Sequence, residues 1–274
     1  MIITNKLNLP KAIVNSIDND HEYKPHNYSV TELLKPTREI ILSRRYDKQI
    51  SRDVSDSIMT LLGSALHKIF ESNSPDNVLT EHRMSINMGI DTITGVADYI
   101  SDDDVIGDYK SISVSKVIKK DFADYEMQLK IYAYMFYRIY DKRIKECKLH
   151  CILKDWSKVK YVNSKDYPSS AYYEHSFKIT DSDLIQAEKY ITWKLKEIHD
   201  NEFNDDDKLI ECSDTEKWYS GTKYAVYKKQ GDKRAFKVCD SKEEAESIGG
   251  IVEERIGNCL KCELYCDCAK FCKK

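Results

Sequence analysis

From Ser29 onward apolar residues recur at helical spacing, through Leu33 and Leu34 to the basic pair Arg44 and Arg45. A second helix is expected over roughly Val54 to Ser72, where Ile58, Leu61, Leu62, Ala65, Ile69 and Phe70 fall on one face that predicts burial. Between Val78 and Ser111 the pattern changes to short β-rich runs broken by Gly89, Gly95 and the acidic tip Ser101-Asp102-Asp103-Asp104, which predicts a strand meander. A long helix over about Phe122 to Tyr140, a strand near Lys148 to Leu153 and an amphipathic helix over Asp181 to Asn201 follow. Helix, strands, helix and strand indicate a mixed α/β core.

The flanks differ. Residues 1–28 carry Asn, Asp, Pro and His without a sustained period and are expected to form an extended or partly ordered arm. The core then spans residues 29–205. In residues 206–274, Tyr224-Ala225-Val226-Tyr227 and Ala235-Phe236-Lys237-Val238 flank the turn Gln230-Gly231-Asp232, a hairpin pattern, with a short helix from Ser241.

With 274 residues, 41% of them hydrophobic, the chain can bury one sizeable core with an appended subdomain. It contains no window near the roughly 18 apolar residues of a membrane span and no signal pattern at its start, so an intracellular, cytoplasmic protein is expected. The net charge of −3 gives no global attraction to nucleic acid. Any DNA contact must come from local cations, for which Arg44, Arg45, Lys116, Lys119 and Lys120 are the first candidates.

Chemistry concentrates between Gly95 and Ser111. If the hairpin turns at Asp102 to Asp104, Ser101 pairs with Val105, and counting back places Asp98 opposite Asp108. Directly opposed residues have Cβ atoms about 4.5–5.5 Å apart, and alternation puts Lys110 on the face of Asp108. Two carboxylates so placed repel unless a cation lies between them, and hard Mg²⁺ or Mn²⁺ suits such oxygens and can activate water against a phosphodiester. Lys110 could position that water and stabilise phosphate charge. His67, with Glu71 one turn later, precedes this hairpin and is a candidate third metal ligand. Gln128 and Tyr132, four apart on a predicted helix, could hold a phosphate or base. Taken singly, each of these features also fits a solvated hairpin or ordinary helix packing.

The order His67, Gly95-x-x-Asp98, Asp108-x-Lys110-Ser111, Gln128-x-x-x-Tyr132 resembles the RecB-type branch of the PD-(D/E)XK nucleases. The wider chain, including Tyr28 to Leu34 and Cys212 to Trp218, resembles phage-encoded members of that superfamily. The resemblance implies a restriction-endonuclease-like central mixed sheet flanked by helices and metal-dependent DNA cleavage by an exonuclease of phage DNA recombination, repair or genome processing, with phage recombination or replication proteins as further partners. It further implies His67, Asp98, Asp108 and the Tyr109 carbonyl as metal ligands and Lys110 as the catalytic lysine. Gln128, Tyr132 and Ser111 would line the substrate cleft. The second acid is Asp108 where many relatives carry Glu, a shorter arm that could alter metal spacing.

Of the nine cysteines, Cys259, Cys262, Cys266, Cys268 and Cys272 lie within the last sixteen residues, an arrangement that points to metal. Members of this branch often close the fold with an iron–sulfur cluster held by one cysteine before an insertion and three near the C terminus. Cys212, Cys262, Cys266 and Cys272 fit that layout, as does the alternative triplet Cys259, Cys262 and Cys268. Four thiolates can hold a 4Fe–4S cluster or Zn²⁺. Two other readings stand beside a nuclease: a non-catalytic or partner-dependent DNA-binding protein, and a metal-stapled module that docks a recombination partner through Trp218, Tyr219, Tyr224 and Tyr227.

Overall fold

The computed structural model describes residues 1–17 and 22–273. The chain begins with β1 (Ile2–Thr4), α1 (Lys11–Ile17), β2 (Asn27–Ser29), α2 (Val30–Leu33), α3 (Thr37–Arg45), β3 (Ser51–Asp53) and α4 (Ile58–Ser72). Its centre comprises β4 (Val78–Met88), β5 (Asp91–Ser101), β6 (Val105–Ile112), α5 (Val114–Ile118), α6 (Ala123–Tyr140), β7 (Glu146–Leu153), α7 (Lys158–Asn163), β8 (Tyr172–Lys178) and α8 (Asp181–Asn201). It ends with α9 (Asp214–Lys217), β9 (Lys223–Tyr227), β10 (Lys237–Cys239), α10 (Lys242–Ile248), β11 (Ile251–Arg255) and α11 (Leu260–Leu264). Among the described residues, no helix is long and apolar enough to cross a membrane.

Six strands form a mixed central sheet flanked by helices, the α/β architecture that the periodicity predicts. β4 lies antiparallel along β5, with the ladder interrupted at Glu81 and Asp98. On the other edge of β5, β2 pairs in parallel at Thr92 to Thr94, and β6 pairs antiparallel at Tyr99 and Ile100. Residues 95–98 therefore face no strand on that edge, and the sheet is forked there. β7 continues parallel to β6, and β8 closes the far side antiparallel to β7.

One face of the sheet is covered by α6, which buries Leu129, Ile131, Ala133 and Met135. Leu184, Ala187, Ile191, Leu195 and Ile198 bring α8 onto α6 and α3, and they recur every three or four residues as a buried helix stripe requires. A capping box between Thr180 and Asp183 starts α8 by satisfying its first amides. At about 1.5–3 kcal/mol for each large apolar side chain removed from water, this stripe fixes α8 firmly.

Helix α4 behaves otherwise. The sequence predicts a buried face, yet no residue of α4 is fully buried, and Met59, Leu62 and Ile69 are about half exposed at 49%, 52% and 53%. It touches β6, α1 and the turn before it, and Ile58, Leu61, Leu66, His67 and Phe70 turn partly inward, whereas Leu62, Ala65 and Ile69 of the expected face stay exposed.

The N-terminal segment is also more ordered than an arm. Ile2 to Thr4 pair with β3, and Asn27 to Ser29 join the central sheet. Pairings of three residues are too short to leave a hydrophobic period. The predicted hairpin is present as β9 and β10, and β11 adds a third strand on the other edge of β9. Tyr227 is buried and Tyr224 packs on the small core of Val226, Cys239 and Ala245, so these two rings are mostly structural, not an exposed aromatic surface. The C-terminal tail returns to α3, where Cys268 and Leu209 pack with Ile41, Leu42 and Ile50.

Candidate functional site

The fork in the sheet is where the predicted residues meet. β5 supplies Asp98, β6 supplies Asp108 and Lys110, α4 supplies His67, and α6 supplies Gln128 and Tyr132. The observed pairs Tyr99 with Gly107 and Ile100 with Ile106 are those of the counted register. The ladder stops one pair before Asp98 and Asp108, so both carboxylates open into the gap and line one pocket with Lys110, Gln128 and Tyr132.

The gap is sealed by side chains in place of a strand. Tyr109 N–H donates to Asp98 Oδ2 at 2.6 Å. In an extended residue the amide and carbonyl share one strand edge, so the Tyr109 carbonyl also faces the gap. Tyr132 lines the gap beside Val96, and its hydroxyl accepts from Gln128 Nε2. Its ring fits because position 95 is glycine: a Cβ there would lie 2.7 Å from Tyr132 Cε1. Gly107 makes a similar allowance, since its Cβ would lie 1.9 Å from the Tyr99 ring.

Asp108 is 1% exposed. Lys110 Nζ donates to its Oδ1 at 2.8 Å and lies 2.8 Å from Oδ2, but no donor is aligned on Oδ2. Gln128 Nε2 reaches Oδ1 only at 3.5 Å and donates more closely, at 2.9 Å, to Tyr132 Oη. Burial pushes the Asp108 carboxyl up; Lys110 opposes this and Asp98 reinforces it. His67 Nδ1 stands 3.3 Å from Asp98 Oδ1, a hydrogen bond that raises the imidazole above its ordinary range.

Glu81, a residue that the sequence reading passed over, completes this side of the cleft. Ligand atoms of His67, Glu81 and Asp98 all lie within 4.8 Å of one another. Glu81 has φ +46°, a left-handed conformation inside a strand that a glutamate adopts only at a cost. Burial and the charge of Asp98 raise its carboxyl. A signal was available: the turn at Gly89 and Ile90 sets Met88 against Asp91, and counting back sets Glu81 against Asp98. Glu71 lines the same cleft without joining the close cluster.

Four oxygen- or nitrogen-bearing side chains, among them Asp108 with a buried oxygen that lacks an aligned donor, and an inward carbonyl form a donor set that fits a hard divalent cation. The cleft around them is bordered by Lys68, Arg83, Ser111 and Lys154. Arg44 and Arg45, expected at such a border, lie elsewhere. Arg44 is bound bidentately by Glu32 and stacks 4.0 Å over the Tyr28 ring, and Arg45 is paired with Asp206. Their positions on one turn of α3 gave no sign of these long-range partners. Lys116 pairs with Asp121 and lies over Tyr125, whereas Lys119 and Lys120 are exposed just beyond α5.

A second pocket contains Cys212, Cys259, Cys262, Cys266, Cys268 and Cys272. Burial, then Glu216, then Cys262, Cys272 and Cys266 push the Cys212 thiol up to about 11. Cys268 is set back: it is 1% exposed, its Sγ lies 3.5 Å from that of Cys266, and its S–H is directed at the Glu39 carbonyl. Arg38, itself buried, donates from Nε to Cys272 Sγ at 3.1 Å. Cys147 and Cys151 take no part, being inward residues of β7.

No protein-family model matches this chain, and no curated protein does. Solved structures similar to it include SSO0001, at 19% identity and TM-score 0.46 over 66% of this chain and 83% of that one. The alkaline exonuclease LHK-Exo from Laribacter hongkongensis is similar at 9% identity and TM-score 0.38, over 63% and 87%. A phage-related exonuclease from Haemophilus somnus 129PT is similar at 11% identity and TM-score 0.37, over 61% and 89%.

Proposed function

We propose that this chain is a divalent-metal-dependent deoxyribonuclease of the PD-(D/E)XK type, an exonuclease acting in phage DNA recombination, repair or genome processing. The observation that carries the reading is the Asp108 carboxylate, 1% exposed beside Asp98 in a sheet fork with Lys110 on it. Two carboxylates facing one gap repel each other, burial and Asp98 raise Asp108 in spite of Lys110, and a divalent cation would complete the balance.

His67, Glu81, Asp98, Asp108 and the Tyr109 carbonyl would hold Mg²⁺ or Mn²⁺. Such an ion supplies Lewis acidity toward a phosphoryl oxygen and a water of lowered pKa. Lys110, fixed by Asp108, would orient the attacking water and offset negative charge developing on the phosphate. Gln128 and Tyr132 would hold Asp108 and the fork in register, and Ser111 would border the DNA cleft. Lys68, Arg83 and Lys154 would track the backbone, and Lys119 and Lys120 would extend that path. Cys212, Cys262, Cys266 and Cys272 would bind a 4Fe–4S cluster, with Zn²⁺ as the other ion that four thiolates accept.

The test is incubation of anaerobically purified protein with linear single-stranded, linear duplex and circular DNA in Mn²⁺, Mg²⁺ or EDTA, beside Lys110→Ala. Expected is metal-dependent degradation of linear DNA, lowered on the order of 100-fold or more in Lys110→Ala, with circles spared. Folded protein that binds DNA but cuts none of these substrates would replace the enzyme by a binding protein.

A further inference from the structure

Another cluster lies at the opposite end of β5. Asp91, its first residue, is 3% exposed, and each oxygen of its carboxylate meets an imidazole. Oδ1 is 3.1 Å from His26 Nδ1, and Oδ2 is 2.8 Å from His199 Nε2. The three ligand atoms lie within 4.8 Å of one another. Each comes from a separately anchored segment. His26, in the turn before β2, has φ +54° and its carbonyl accepts from Thr92 N–H at 2.7 Å. His199 sits in the last turn of α8, and its Nδ1 is 3.0 Å from Glu202 Oε1.

His199 stands between two carboxylates, with Nε2 at Asp91 and Nδ1 at Glu202, and Asp91 stands between His199 and His26. Ring nitrogens and carboxylate oxygens that converge from three segments in this way form a donor set for a metal ion. Two imidazoles and a carboxylate suit Zn²⁺ and its transition-metal neighbours better than Mg²⁺ or Ca²⁺, which favour oxygen. Bonds of 2.0–2.1 Å in a tetrahedron separate ligand atoms by about 3.3 Å, a spacing that the three groups, whose ligand atoms lie within 4.8 Å of one another, reach by small side-chain adjustments.

We propose that His26, Asp91 and His199 form a second metal site, for Zn²⁺ or a similar divalent transition metal, with Glu202 as the positioning residue for His199. Water would take the fourth position on the side of His26, whose side chain is 48% exposed. Seven residues of strand separate Asp91 from Asp98, about 23 Å, so the site is independent of the proposed catalytic cleft. The ion would clip the turn before β2, the start of β5 and the end of α8 together.

Full-length protein stripped of metal is dialysed against Zn²⁺, and its content compared with that of His26→Ala and Glu202→Gln; zinc taken up by the cysteines or the catalytic cleft is common to all three. Expected is one equivalent fewer in His26→Ala and an affinity at that equivalent about tenfold or more weaker in Glu202→Gln. Wild-type crystals grown with Zn²⁺ should give an anomalous peak at the zinc edge between the three side chains, a readout that needs no variant. Equal zinc in wild type and His26→Ala, or no peak beside Asp91, overturns the site.

Discussion

Asp108 illustrates how a functional side chain can work against the fold that holds it. Its carboxylate is buried, and the rise in its pKa shows that desolvation and Asp98 outweigh Lys110. An acid whose folded pKa is raised stabilises the fold fully only below its unfolded pKa, and that contribution is lost as pH rises through the folded value. Metal-free Asp108→Asn should therefore be more stable than wild type at neutral pH, by about 1–2 kcal/mol, with the difference vanishing in acid. Urea denaturation in EDTA across that pH range measures it. Mn²⁺ should then stabilise wild type more than Asp108→Asn; a variant that is less stable at neutral pH would show that Lys110 compensates the charge fully. At this scale much of the site could be read in advance. Opposition of Asp98 and Asp108 follows from one turn and strict alternation, whereas the partners of Arg44 and Arg45 depend on residues far away in the chain.

Among the elements, α4 differs most from its neighbours. Helix α6 buries Gln128, Leu129, Ile131 to Phe136, and α8 buries six residues, but α4 delivers His67 to the cleft while burying none. Helices held by few buried contacts open locally at low free energy. Amides of α4 should thus exchange with deuterium on the order of 100-fold faster than those of α6 in metal-free protein. If His67 ligates the proposed ion, Mn²⁺ should slow exchange across Leu66 to Phe70 in wild type but not in His67→Ala, and mass spectrometry of the α4 peptides separates these cases. Exchange in α4 indifferent to Mn²⁺ would remove His67 from the ligand set. The long helices α6 and α8 were legible because each carries a period over several turns. β8 and β11 were not, since each is short and takes its register from a neighbour already in place. The extent of burial was not legible for α4 either, because periodicity reports an apolar stripe and not the width of the surface that receives it.

Over the whole molecule, the C-terminal tail and the segment after α8 meet at α3. Arg38 on that helix is 2% exposed and donates to the carbonyls of Asp206 and Leu209, each at 2.7 Å, and to Cys272 Sγ. Spacing alone left two cysteine sets open. All six of these cysteines line one pocket, and we prefer the first set because Cys212 feels Cys262, Cys266 and Cys272, while Cys268 packs behind them against Ile41, Leu42 and Ile50. Under the proposed cluster, Cys212→Ser and Cys272→Ser should lose the iron–sulfur absorbance near 400 nm, and Cys268→Ser should retain it while losing some stability from its packing. Because the thiolates join residue 212 to the tail, ligand loss should also free the C-terminal segment: trypsin should cut at Lys261, Lys270 or Lys273 sooner in Cys212→Ser than in wild type. Absorbance lost in Cys268→Ser and kept in Cys272→Ser would reverse the assignment in favour of Cys259, Cys262 and Cys268. Metal analysis of the same samples decides between iron and zinc, since zinc would leave the tail protected from trypsin with no absorbance near 400 nm.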